Sequence, residues 1–339
     1  LSIVVYRNYS HKKKANILLT DQKNEIEEKN EELKQSNEEI SAQRDEIETQ
    51  RDLVTFQKEK IEEIHSQLTS SIHYAKRIQN AVLPEKEFID TLLNDYFILF
   101  KPRDIVSGDF FWMTMRKKHL LVAVADCTGH GVPGAFISML GISFLNDIVA
   151  RDDVTKASHV INVLREYILK SLQQKGNDSE QKDGMDIAFI CVNMEPEYTE
   201  SGTEQFNVQY AGANNSLYIA KTKVEEKVVN DYSSTIVEIK GDKMPISIYR
   251  NMNDFTNHEL ILQKGDIIYL CTDGFYDQYG GPHDRKYLSM NFRKLLDEIS
   301  GNSMETQKEI LNETIESWMN YNGKTHEQTD DITVMGIKI

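Results

Sequence analysis

The stretch "VADCTGHGVPGAF", residues 124–136, opens on aliphatic residues, breaks at a single carboxylate, Asp126, and passes through glycines into a helix-like start. Read as a strand, a tight turn and a helix beginning near Pro133, it sets a lone acid at the tip of a buried strand. A charge in that position costs desolvation unless a cation or hydrogen-bond donors compensate it. The glycines after Asp126 would let backbone carbonyls approach a bound ion closely.

Three further places repeat the pattern: Asp109 in "IVSGDFFW", Asp273 in "YLCTDGFYD", and Asp330 with Asp331 in "QTDDITVMGI". Asp126 and Asp273 end aliphatic strands, and Asp330 lies just before one. Any one of these acids alone reads as a turn or helix cap. Four sites in matching contexts predict a shared pocket, where the carboxylates repel one another unless a counter-charge is present. An all-oxygen cluster of this kind selects Mg²⁺ or Mn²⁺, whereas Zn²⁺ favours His or Cys. Two such ions close together can lower the pKa of a shared water and aim it at phosphorus.

From about residue 95 onward, "YFILF", "HLLVAVAD", "DIAFICVN", "FNVQYAG", "NSLYIAK", "ELILQ" and "DIIYLCTD" read as strands. Several are apolar on both faces, as in a sheet covered on both sides. "GAFISMLGISFLNDIV", "ASHVINVLREYILKSLQ" and "ETQKEILNETIESWMN" carry helical periodicity. Strands cluster apart from helices, which points to α+β layers rather than alternating βαβ units.

The N-terminal part is different. Residues 21–83 contain no glycine or proline, and Ile26, Leu33, Ile40, Ile47, Val54, Ile61 and Leu68 recur every seven residues. This is the spacing of a coiled coil; Asn30, Asn37, Arg44, Arg51, Lys58 and His65 at the companion positions favour a defined register and a parallel dimer. A single solvated helix held by charge pairs is the plainer reading, but it does not require an apolar heptad. After Leu68, the stripe Ile72, Ala75, Ile78, Val82 and Leu83 broadens and suits packing onto a globular domain. The expected organisation is therefore 1–20 a membrane-proximal stub and basic segment, 21–68 a dimeric coiled coil, 69–91 a helical regulatory linker, and 92–339 the catalytic domain. "LSIVVY" before Arg7 and Lys12, Lys13 and Lys14 fits the cytoplasmic end of a membrane helix whose remainder precedes this chain. A disordered basic tail is the alternative. The expected location is thus the cytoplasmic face of the membrane.

A net charge of −15 over 339 residues argues against nucleic acid as a general partner. The three cysteines, Cys127, Cys191 and Cys271, sit singly in aliphatic runs and read as reduced core residues.

In order along the chain, "PRDIVSGDFFW", "ADCTGHGVPGAF", "YAGANNSLY", "LCTDGFYDQ" and "TDDITV" resemble the metal-dependent Ser/Thr protein phosphatases (PPM), in their bacterial SpoIIE-like branch. The resemblance covers residues 95–339, and "SIHYAKRIQNAVLP" resembles the regulatory linker that precedes such domains. It implies an αββα sandwich that binds two Mn²⁺ or Mg²⁺ ions and hydrolyses phosphoserine or phosphothreonine in a protein, without a covalent intermediate. Carried over by position, Asp126 would bridge both metals and the backbone carbonyl of Cys127, where the family commonly has Gly, would bind one. Asp273 and Asp330 would complete one metal site, Asp330 being preferred to Asp331 by the family's order of residues. Asp109 would bind directly or through water. Arg103 is the candidate phosphate-binding residue and His130 the candidate general acid. The implied partner is a phosphorylated protein, with an anti-sigma-factor antagonist as one such substrate.

Competing readings fare worse. Gly129, Gly131 and Gly134 spell GxGxxG, but the acids that would meet a ribose, Asp152 and Asp153, follow a helical stretch with no strand between. A cysteine phosphatase needs Arg six positions after its nucleophile, where this chain has Pro133, Glu197 and Asp277. A DxDxT phosphatase needs Asp where Cys271 stands. A catalytically silent phosphatase fold, acting as a dimeric binding module, remains as the alternative from another class.

Overall fold

The computed structural model describes residues 2–151, 156–175, 182–222 and 236–339. It divides into two units, Leu1–Ser70 and Ser71–Ile339. The first is helical throughout its described length and belongs to α1 (Ser2–Val82). Its heptad residues, from Ile26 to Leu68, are 58–66% exposed. Pairs such as Lys29–Glu25 (3.1 Å) and Lys60–Glu63 (2.7 Å) line its surface. Each contributes a few tenths of a kcal/mol, roughly 0.2–0.5, to an isolated helix.

The second unit holds the last turns of α1 and all remaining elements. Its first strands are β1 (Tyr96–Lys101), β2 (Phe110–Arg116), β3 (His119–Cys127), β4 (Met185–Asn193) and the short β5 (Glu197–Tyr198). They are followed by β6 (Glu204–Ala213), β7 (Leu217–Ala220), β8 (Ile236–Ile239), β9 (His258–Gln263) and β10 (Ile267–Cys271). Two small hairpins pair β11 (Tyr279–Gly280) with β12 (Arg285–Lys286) and β13 (Asn320–Tyr321) with β14 (Lys324–Thr325). The last strand is β15 (Ile332–Lys338). The helices are α2 (Lys86–Leu92), α3 (Gly131–Ala150), α4 (Ala157–Ser171), α5 (Gly274–Asp277), α6 (Ser289–Ile299) and α7 (Met304–Met319).

Two antiparallel sheets form the centre. One runs β1-β15-β10-β7-β8; the other runs β2-β3-β4-β6-β5, with β9 also on β6. The period of two along each strand sorts its residues between layers. In β3, Leu121, Ala123, Ala125 and Cys127 face the core formed with α3 and α4, while Leu120, Val122 and Val124 face the other sheet. In β10, Ile268 and Leu270 face the sheet interface, and Ile267, Tyr269 and Cys271 face the core formed with α6 and α7. Three apolar interfaces therefore stack four layers, αββα, which explains why the central strands are aliphatic without alternation. All three cysteines are buried and free.

Helix α3 is long and apolar enough to cross a bilayer by composition. Here its apolar side is a core face: Ile142, Leu145 and Ile148 are buried against the second sheet. Each such side chain contributes about 1.5–3 kcal/mol by leaving water. The antiparallel neighbours of β3 exclude the parallel βαβ unit that a dinucleotide GxGxxG requires. Asp152 and Asp153 lie outside the described residues. Among the elements that go beyond the sequence reading are β2, where the motif around Asp109 masks a strand, and α6, whose 11 residues are brief for a periodicity signal.

Candidate functional site

Four chain segments bring acids to one end of the two sheets. Asp126 is the penultimate residue of β3, Asp273 follows β10 at the start of α5, Asp330 precedes β15, and Asp109 precedes β2. Their charges act on one another. Burial, followed by the charges of Asp109, Asp273, Asp330 and Asp186, pushes the Asp126 carboxyl well above the usual carboxylate range. Burial, with Asp277 and Asp330 adding to it, raises Asp273 to about 6, while a hydrogen bond with Asp126 works in the opposite direction. All four charges that act on Asp126 are carboxylates, so the cluster carries its own repulsion. Among the described residues, no three His, Cys, Asp or Glu side chains close into a ready ligand cage.

Asp109 is 1% exposed and, among the described residues, is held through one carboxylate oxygen. Its Oδ2 accepts from the hydroxyls of Thr272 (2.7 Å) and Thr333 (2.6 Å). Burial raises its pKa strongly, and these two donors counter part of that rise. The neighbouring Asp331 is used differently. Its Oδ1 accepts from the Arg103 N–H and its Oδ2 from the Gly108 N–H, both at 2.7 Å. Asp331 therefore clamps the loop that leads to Asp109; its charge also acts on Asp109, ahead of that of Asp330, while the Asp330 charge reaches Asp109, Asp126 and Asp273.

The glycines also shape the turn. Gly129 (φ +80°) and Gly131 (φ +65°) turn the chain through the left-handed region. A Cβ on Gly134 would stand 2.1 Å from the Gly129 carbonyl, and one on Gly108 would stand 2.6 Å from it. These two glycines sandwich the Gly129 carbonyl and so lock the Asp126 turn against the Asp109 loop. The Cys127 carbonyl lies 3.3 Å from the same Gly108 position and faces that loop.

His130 caps the start of α3 in extended backbone, and its Nδ1 is 2.8 Å from Asp104 Oδ2. The structure gives it Asp104 as partner and no acid of the cluster. Arg103 is exposed and donates from Nη1 to the Thr329 carbonyl at 2.9 Å, one residue from Asp330.

The family model for stage II sporulation protein E (SpoIIE) matches residues 116–339. The chain belongs to the SpoIIE family. Within that match lie Asp126, Asp273 and Asp330; Asp109 lies outside it. The SiaA-PP2C domain of Pseudomonas aeruginosa is 27% identical, with a TM-score of 0.66, and the match covers 81% of this chain and 98% of that one. The PP2C phosphatase domain of SpoIIE from Bacillus subtilis shares the fold at 17% identity and a TM-score of 0.50, over 72% of this chain and 62% of that one. Phosphoserine phosphatase RsbU of Bacillus subtilis (strain 168) is 24% identical over 218 residues, 64% of this chain and 57% of that protein. The chain thus matches little more than half of that relative's length.

The sequence reading missed one acid whose charge acts on Asp126. Asp186, on β4, is the cross-strand partner of Asp126, and its Oδ1 accepts from Asn214 Nδ2 at 2.8 Å. Burial raises its pKa, with Asn214 acting against the rise. It was legible only as an acid interrupting the run "MDIAFICV". Gln79, buried at 3%, was equally hidden: Nε2 donates to the Ser107 carbonyl (2.6 Å) and to Ser138 Oγ (3.0 Å). The Ser107 N–H donates back to Gln79 Oε1 at 3.1 Å. The end of α1 is thereby tied to the residue two before Asp109.

Proposed function

We infer that this chain carries a divalent-metal-dependent protein serine/threonine phosphatase acting in bacterial signalling. The observation that carries the reading is the convergence of Asp109, Asp126, Asp273 and Asp330: the charges of the other three add to burial in raising Asp126, and the Asp330 charge acts on Asp109 and Asp273 as well. Their donor set is all oxygen, which fits Mn²⁺ or Mg²⁺. RsbU, named a phosphoserine phosphatase, supports the reaction class. Two such ions held there would supply an activated water and offset the charge that develops on the phosphoryl oxygens.

The chain's own residues would then divide the work. Asp126, acted on by both Asp109 and Asp273, suits a carboxylate shared by two ions, with the Cys127 carbonyl as a further oxygen donor. Asp273 and Asp330 suit one side of the site. Asp109, anchored through Oδ2, has Oδ1 to offer. Arg103, tethered at Thr329, is the candidate for holding the substrate phosphate, and His130, oriented by Asp104, is the candidate acid for the leaving seryl oxygen.

The substrate would be a phosphorylated protein, with an anti-sigma-factor antagonist as one member of that class. The exposed heptad face of α1 supports a parallel homodimer. The basic residues Arg7, Lys12, Lys13 and Lys14 support attachment at the cytoplasmic face of a membrane through a preceding segment. The switch from strict heptads to a broader stripe near residue 69, together with the Gln79 contacts to the Asp109 loop, supports a helix that carries an upstream signal to the site.

Phosphate release from a phosphoserine protein, assayed with Mn²⁺, with Mg²⁺ and with chelator, tests the reading. Release that depends on the metal is expected. Weak Mn²⁺ binding with the phosphoprotein left intact would instead establish the silent signalling module.

A further inference from the structure

Gln278 is fully buried and lies five residues after Asp273, immediately beyond α5. Its carboxamide is saturated. Nε2 donates to the carbonyls of Tyr279 (2.9 Å) and Glu327 (3.0 Å), and Oε1 accepts from the Thr329 N–H (2.9 Å) and the Thr329 hydroxyl (3.1 Å). An amide side chain offers two donors and two acceptor lone pairs, and all four are used. The Gln278 carbonyl in turn accepts from the Tyr287 N–H (3.0 Å) and the Trp318 indole (3.2 Å).

Thr329 is the residue before Asp330. Residues 326–331 run between β14 and β15 and belong to no strand, so no ladder fixes the height at which Asp330 stands. Gln328 donates to the Lys101 and Asp330 carbonyls and Arg103 to the Thr329 carbonyl, and the Gln278 side chain ties the stretch to the Asp273 segment. A close approach reinforces it: a Cβ on Gly274 would stand 1.9 Å from the Asp331 carbonyl, which brings the two segments together at their other end.

The geometry points to Gln278 as a positioning residue that sets the separation of Asp273 and Asp330, and through it the affinity of that pair for a divalent cation. The assignment rests on the metal reading above. Gln278 touches neither carboxylate; it acts through the backbone on either side of them. Outer partners of metal ligands typically contribute about 10–100-fold in metal affinity.

The test is calorimetric titration of Mn²⁺ into the full chain, wild type and variants, beside thermal melts of each. Gln278→Ala is expected to bind Mn²⁺ about tenfold more weakly. Thr329→Val keeps the backbone N–H and loses the hydroxyl, and about threefold weaker binding is expected from the loss of one hydrogen bond. Thr329→Ser restores wild-type affinity. Gln307→Ala is the control, because Gln307 is equally buried but serves Tyr269, Ser300 and Asn302. It should lower the melting temperature and leave Mn²⁺ affinity unchanged. Wild-type affinity in folded Gln278→Ala overturns the assignment while leaving the metal reading intact. Should Gln278→Ala not fold, wild-type affinity in Thr329→Val, whose site is exposed, overturns it equally. Absence of Mn²⁺ binding by the wild type overturns both.

Discussion

Asp126 and Asp186 stand directly opposite each other on the antiparallel strands β3 and β4. Like charges in that register destabilise a sheet, and both residues have raised pKa values with burial as the leading cause. A cation between or beside them would reverse the sign of the interaction. Asp186→Asn should therefore stabilise the metal-free protein, by at most about 1 kcal/mol, and lower the gain in stability that Mn²⁺ gives. The substituted amide can still accept from Asn214 through its oxygen, so the local hydrogen bond survives. Melts in chelator and in Mn²⁺ check both signs; a variant less stable in chelator and unchanged in its response to Mn²⁺ would contradict the expectation.

Replacement of Asp126 or Asp273 by Asn tests the acids themselves. Each variant should lose more than about 100-fold in turnover, beyond what outer partners of a metal contribute, while its circular dichroism stays that of the wild type. Phosphate release from a phosphoserine protein is the measurement. Activity near wild type in either variant would end the metal assignment.

Thr272 and Thr333 offer a separate handle on Asp109. Both hydroxyls converge on Oδ2, from positions 163 and 224 residues away in sequence. Thr333→Val preserves shape and removes one donor from a buried acid, a loss on the order of 1–3 kcal/mol. Chemical denaturation should show this as a lower midpoint with an unchanged slope. No shift in the midpoint would mean that the Thr333 hydroxyl does not support Asp109.

These pairings also show where sequence reading reaches its limit. The strand-ending acids were legible because an ionisable residue interrupts an aliphatic run, and the layers because β3, β10 and β15 are apolar on both faces. Asp330 and Asp331 look alike in sequence; the two backbone N–H groups that Asp331 accepts from, those of Arg103 and Gly108, come from a loop more than 220 residues away. Gln278, Thr272, Thr333 and Asn214 are ordinary polar residues locally. Their roles come from partners brought in by the fold, as with Gln278 and Thr329, 51 residues apart. No period or composition encodes such a contact.

Asp266 predicts the acid limb of stability. It is 1% exposed; Oδ1 accepts from the Thr222 N–H (2.8 Å), and Oδ2 accepts from the Gln263 N–H (3.0 Å) and Lys221 Nζ (3.0 Å). Burial alone would raise its pKa, but these donors and the Lys221 charge outweigh it, and the folded pKa lies below the ordinary 3.8. The unfolded chain therefore binds the proton more readily than the fold does. The resulting stability is complete above the unfolded pKa and disappears as pH falls through the folded one. Asp266→Asn should cost roughly 2–3 kcal/mol at neutral pH and little at the lowest pH where the protein still folds. Denaturation midpoints for both proteins between pH 7 and about 3 would show the two curves converging. Curves that stay parallel would remove Asp266 from the acid response.

The helix α1 carries the last expectation. Ile40 and Ile47 are 58% and 65% exposed in the single chain, and each sits in a seven-residue repeat that charge pairing alone leaves unexplained. Burial against a second α1 would remove most of that apolar surface from water, at about 25 cal/mol per Å². Polar residues at the companion positions weaken the seam, so the dimer should be sensitive to a few substitutions. Ile40→Lys with Ile47→Lys places four like charges in one seam of a parallel dimer and should yield a monomer by light scattering at micromolar concentration. The compact unit Ser71–Ile339 keeps all three apolar cores in that variant, so its far-ultraviolet signal should stay close to wild type. If the signal set by the helix reaches the site through Gln79, basal phosphatase rate should change together with the oligomeric state. A monomer with an unaltered rate would separate dimerisation from control of the site, and an unaltered dimer would show that the heptads do not form the seam.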